Sequence, residues 1–186
     1  MGIGEITFAD APQAVIDEYA SIAAPADAPL TALSEVCLEM SETFGDDRSV
    51  HFVLVDEITD ADGEPSGTLG IASGIPGATI LDGMWTSCVL VTANLDGFGA
   101  AENAGTVWHE VGHLLGLFHT SESSGDSFDF FDDTSECAIA KDANDDGFID
   151  KFECPDGSNF IFYNSEGTEV SVGQAALMGN HPLFHS

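Results

Sequence analysis

Apolar positions in the first 45 residues recur with helical spacing. Residues 11–23 are periodic, Pro25 and Pro29 interrupt them, and the period resumes over residues 31–44, where Leu33, Val36, Cys37 and Met40 share one stripe. Residues 49–55 (SVHFVLV) are rich in β-branched and aromatic side chains and predict a buried strand. Residues 60–65 (DADGEP) carry turn chemistry. Residues 68–80 (TLGIASGIPGATI) are punctuated by glycine, which predicts either an edge strand or a loop that another backbone approaches closely. Residues 87–93 (SCVLVTA) predict a second strand, and residues 99–117 a long helix. Beyond it the chain turns Asp-, Gly- and Ser-rich and loop-like as far as residues 159–163, with a short helix near residues 173–178. No repeat or linker divides the chain, so one mixed α/β domain is the simplest reading.

Composition narrows the class. At 186 residues the chain is long enough for one domain with a core, and 44% hydrophobic content is that of a globular protein. Against 33 Asp and Glu stand 3 Lys and Arg (Arg48, Lys141 and Lys151), for a formal net charge of -30. Such a surface repels phosphate backbones and anionic headgroups, which argues against nucleic acid and membrane as partners and favours cations and cationic peptides. A saline habitat and a set of calcium ligands both account for the acidity, and neither names a function. No apolar run is long enough to span a bilayer. The first residues lack the basic and apolar regions of a signal peptide, yet four cysteines and scarce lysine suit an exported protein. The expectation is a secreted domain whose signal and any pro-segment lie upstream, with a monomer as the default.

The chemistry concentrates in residues 109–119, HEVGHLLGLFH, which match H-E-x-x-H-x-x-G-x-x-H at every specified position. Four residues apart on a helix, His109 and His113 share a face and reach one ion. Glu110 lies on the adjoining strip, able to touch a water on the metal without ligating it. The helix must end to bring a third ligand round, and Gly116 permits the left-handed turn that does so. His119 then supplies the third nitrogen. Three protein ligands leave one position open, which marks a catalytic rather than a structural zinc site, with Glu110 as general base. Six histidines occur in the chain and three fall in this pattern. His51 within a strand, and His181 and His185 in the terminal tail, read as structural.

A second motif occupies residues 142–153 (DANDDGFIDKFE), which fit D-x-[DN]-x-[DN]-G-x₅-E. Asp142, Asn144 and Asp146, the carbonyl of Phe148, Asp150 directly or through water, and bidentate Glu153 would surround one Ca²⁺. Gly147 suits the sharp turn and Ile149 the apolar position. The following Cys154-Pro155-Asp156-Gly157 cannot continue as a helix, so a single structural ion is expected rather than a paired sensor. Cys137 and Cys154 bracket the loop and would clip it if joined; of three possible pairings this one is preferred, with Cys37 and Cys88 paired or free.

The eleven-residue pattern is the metzincin signature, and with its Cys- and Asp-rich sequel it resembles the pappalysin, or ulilysin-like, branch. That resemblance is specific over residues 108–178 and only topological before them. It implies an α+β catalytic domain: a twisted mixed sheet with a backing helix and the active-site helix (residues 1–119) above an irregular calcium-binding half (residues 120–186). It also implies a Met-turn beneath the metal. Met178 is one candidate. Asn159-Phe160-Ile161-Phe162-Tyr163, followed by Gly173-Gln174, is similar in order and spacing to the branch pattern and is favoured, with Ile161 in the methionine's place at modest packing cost. On that alignment Tyr163 either steadies an oxyanion or simply packs the lower half. The resemblance further implies Glu166 as a determinant for basic substrate side chains, and Asp132-Asp133-Thr134 as a second calcium site.

Two functions follow from different classes: a zinc endopeptidase acting on a peptide or protein substrate, or a calcium-stabilised extracellular binding module with a vestigial zinc site. Retention of Glu110 with all three histidines favours the enzyme, since a binding module needs no base. The segment 68–80 offers either an edge for an extended peptide or a plain connection.

Overall fold

The computed structural model describes residue 13 and residues 21–23, 29–44, 49–81, 84–92, 100–164 and 166–184. The helix expected over residues 11–23 falls largely outside these. Gln13 is helical, but Ser21–Ala23 form strand β1, which corrects the expectation at that end.

Helix α1 spans Pro29–Phe44. Proline, read from the sequence as a breaker, stands instead at the first helical position, where its fixed φ suits the helix and its missing N–H costs nothing. The foreseen stripe of Leu33, Val36, Cys37 and Met40 is buried and packs on Val55, Ile58, Cys88 and Leu90. A disulfide joins Cys37 to Cys88 and so fastens α1 to the sheet.

Strands β2 (His51–Val55), β4 (Gly70–Ala72) and β7 (Cys88–Thr92) form a mixed three-stranded sheet in the order β2-β7-β4. β2 pairs with β7 in parallel and β4 pairs with it antiparallel. All five residues of the central β7 are buried. Its side chains alternate between faces, Cys88 and Leu90 toward α1 and Val89 toward helix α2, Ala100–Leu114. The sheet therefore lies between two helices. β2 was expected to be buried, but Phe52 is 50% and Leu54 66% exposed. It is an edge strand with one face turned outward, and hydrophobicity alone does not report that. Two short pairs were not foreseen: β1 runs parallel to β3 (Glu57–Thr59), and β5 (Ile80–Leu81) pairs with β6 (Met84–Trp85). The glycine-rich segment supplies β4 and so resolves as an edge strand.

Beyond α2 regular structure is sparse: 3₁₀ turns at Ile139–Lys141 and Pro182–Phe184, and helix α3 at Val172–Gly179. Disulfide Cys137–Cys154, as preferred, closes a small core with Ile149 and Phe162. Leu117, Phe160 and Ile161 form a second core beneath α2. The chain is thus α+β with a layered first half and an irregular second half. Among the described residues no helix is long and apolar enough to cross a membrane.

The Cys37–Cys88 bridge closes 51 residues of sequence. Replacing both cysteines by alanine is expected to lower the unfolding free energy by about 4 kcal/mol, as loop entropy returns to the unfolded chain. Urea denaturation of the double variant beside the native chain measures it; an unchanged midpoint would show that α1 docks without the link.

Candidate metal centre

Helix α2 carries His109, Glu110 and His113, and all three are buried. It ends at Leu114 rather than at residue 117 as the periodicity suggests, and the ending follows from Gly116. With φ at +104°, Gly116 places its N–H on the His113 carbonyl at 2.9 Å and that of Leu117 on the Gly112 carbonyl at 3.0 Å. This is the Schellman arrangement, and it swings the chain back so that His119 faces the helix.

The three Nε2 atoms converge, with His109 3.1 Å from His113, and His119 3.0 Å from His109 and 3.1 Å from His113. The opposite ring nitrogens are all engaged. Nδ1 of His109 donates to the Phe160 carbonyl at 3.0 Å, that of His113 to the Leu117 carbonyl at 2.7 Å, and that of His119 to Oε1 of Glu122 at 2.9 Å. These oxygens only accept, so in the neutral rings every proton sits on Nδ1 and every Nε2 presents a lone pair. Three lone pairs aimed at one point cannot bond to each other, whereas a cation at that point satisfies all three. With metal–imidazole bonds of about 2.0–2.1 Å, one ion reaches the three nitrogens. The cluster can therefore hold a metal ion. When bound, zinc would polarise a carbonyl and acidify water.

Burial, together with the neighbouring imidazoles, lowers His109 to about 3 and His113 to about 4. Burial raises Glu110 to about 8, against a backbone hydrogen bond from Ala72 that lowers it. Glu110 lies beneath the sheet edge; a Cβ on Gly70 would stand 2.6 Å from its Cγ, so only glycine leaves it room there. The hydrogen bond from the His119 imidazole is the main cause that lowers Glu122.

Ile161 is fully buried and sits under the motif. A Cβ on Gly112, between the two helical histidines, would come within 2.8 Å of both Ile161 Cδ1 and Phe160 Cε2. The turn that carries it is fixed by the Asn159 side chain, which accepts from Ile161 N at 3.1 Å and exchanges amide hydrogen bonds with buried Gln174 at 3.0 and 3.2 Å. Met178 packs at the margin of the same cluster, on α3.

Other candidates lie elsewhere. The Tyr163 hydroxyl donates to the Ile149 carbonyl at 2.6 Å, and burial and the carboxylates of Asp150, Asp146 and Glu153 raise its pKa. Glu166 is ion-paired with Lys151. Asp133 accepts from Ser171 Oγ at 2.9 Å and Gly173 N at 2.8 Å, capping α3, while Thr134 donates to Asp129 at 2.6 Å. In residues 142–153 the foreseen oxygens turn inward to the backbone. Asp142 accepts from Asp145 N and Gly147 N at 2.7 and 2.8 Å, and Asn144 from Asp146 N at 3.0 Å. Asp146 accepts from Phe148 N at 2.9 Å, Asp150 from Phe152 N at 2.7 Å, and Glu153 from Ala143 N and Asp150 N at 2.7 and 3.1 Å. Gly147 takes the expected positive φ of 90°, and Ile149 is buried. His51 lies in β2 and His181 is buried; His185 is outside the described residues. Sequence reading missed Glu122 and the carbonyls of Phe160 and Leu117, because no motif position specifies them. No family model, curated protein or solved structure matches the chain.

His109 and His113 have folded pKa values below their ordinary 6.5. Their contribution to stability is therefore full above that pH and is lost as pH falls toward 4 and 3. In metal-free protein at pH 5, ¹⁵N NMR should show both rings neutral with the proton on Nδ1. Imidazolium signals from both would contradict the hydrogen-bond assignment.

Proposed function

We propose that the chain is a secreted zinc endopeptidase of the metzincin kind, resembling the pappalysin branch, whose acidic loop 142–153 binds a stabilising calcium ion. The observation that carries this reading is the convergence of three Nε2 lone pairs within 3.1 Å beside a buried glutamate. His109, His113 and His119 would hold the zinc, which supplies Lewis acidity and an acidified water. Glu110, buried beside the histidines, would serve as the general base, its carboxylate taking up a proton and passing it on to the leaving amine. Glu110 must be ionised to do so, and a cation nearby brings its raised pKa down. Its hydrogen bond to Ala72 sets it against β4, one of the two edge strands of the sheet among the described residues. An extended peptide added along that edge would lie beside Glu110.

A net charge of -30 draws cationic peptides to the molecule as a whole. Glu166 is already neutralised by Lys151, so it is not needed to explain such a preference. Tyr163 would have to leave the Ile149 carbonyl to reach a substrate, and no step here is assigned to it. Two disulfides suit an extracellular setting.

Cleavage of a quenched peptide library by zinc-loaded protein, with and without chelator, tests the proposal. Internal cleavage lost on chelation, and reduced about 10²–10⁴-fold in Glu110→Gln at unchanged zinc content, is expected. Equal cleavage by the variant would remove Glu110 as the base. A folded, zinc-loaded and inert native chain would favour the calcium-stabilised binding module.

A further inference from the structure

We propose that Glu122 is a positioning residue for the metal, holding His119 in the orientation and tautomer that ligation needs. The proposal rests on the metal-site reading above. His109 and His113 stand on a helix and donate to main-chain carbonyls, of Phe160 and Leu117, that the fold fixes in any case. His119 lies beyond the helix, its side chain is 21% exposed, and its partner is a side-chain carboxylate at 2.9 Å. It is the one ligand whose orientation depends on another side chain. A carboxylate acceptor also makes the imidazole a stronger donor through Nε2.

The backbone under Glu122 is braced. Its N–H donates to the Ser127 carbonyl at 3.0 Å and its carbonyl accepts from Gly125 N at 2.8 Å, within a hairpin closed by a Ser121–Phe128 bridge. That hairpin is tied to the acidic loop and its approach: the Ser123 carbonyl accepts from Ile149 N at 2.9 Å and the Gly125 carbonyl from Ile139 N at 3.1 Å. Gly125 lies so close that a Cβ there would stand 2.3 Å from Ile139 N. Ile149 is itself buried in the core closed by Cys137–Cys154, and Tyr163 holds its carbonyl. The carboxylate that aims the third ligand is thus placed by the disulfide-closed half of the chain. Tyr163 acts there as a brace.

Zinc alone, titrated into the metal-stripped full chain with a competing chelator, tests this for the native protein, Glu122→Ala and Glu122→Gln. Glu122→Ala should weaken zinc by about 10- to 100-fold, and Glu122→Gln, which keeps an acceptor oxygen without the charge, by less. In zinc-loaded protein the Nδ1–H of His119 should exchange faster with water in Glu122→Ala, with those of His109 and His113 unchanged. Should the alanine variant not fold, the near-isosteric glutamine variant still separates charge from shape. Tight zinc binding by the native chain with both variants within twofold of it would overturn the role of Glu122 alone. A native chain that takes up no zinc would overturn the metal site, and this proposal with it.

Discussion

Three imidazole lone pairs meeting within 3.1 Å repel one another, and much of the structure serves to hold them there. Each ring is held from behind, its Nδ1–H drawn to an oxygen supplied by a different part of the chain. The Phe160 carbonyl comes from the turn under the helix, the Leu117 carbonyl from the helix's own ending, and the Glu122 carboxylate from the hairpin beyond. Such convergence stores unfavourable electrostatics that a cation relieves. A metal held here would be linked to folding of the second half, since two of the three anchors belong to the irregular region.

That region has few hydrogen bonds of regular structure to sustain it. Cys137–Cys154, the buried Ile149 and Phe162, and the Asn159–Gln174 amide pair take their place. The amide pair joins the turn carrying Phe160 and Ile161 to the first turn of α3, where Gln174 also completes a capping box with Ser171. Close packing then sets tolerances. Gly112 admits Ile161 and Phe160 against the helix between two of the converging histidines, and Gly70 admits the Glu110 side chain against the sheet edge.

Where one local rule decides the outcome, the sequence was readable. The histidine spacing, the need for glycine at 116, the stripe on α1 and the buried β7 all rest on periodicity or on a single backbone constraint. The place of Ile161 beneath the histidines was reached through resemblance, and the clue was the order of Asn159, Tyr163 and Gln174. What stayed hidden depends on tertiary partners. Phe52 and Leu54 read as core because hydrophobicity does not reveal which strand is an edge. Pro29 opens a helix instead of breaking one. Asp133 caps α3 across 40 residues of sequence, and Glu122 meets His119 only after the chain has turned. In a chain with 33 acidic residues, neither stands out.

X-ray absorption at the zinc edge, on protein reconstituted with one equivalent of zinc, tests the central claim most directly. Three imidazole nitrogens and one further light atom at about 2.0–2.1 Å are expected. The imidazole signal should fall by one nitrogen in His119→Ala. Zinc that is not retained, or that sits in a shell of carboxylate oxygens without imidazole, would contradict the claim that these histidines form the metal centre.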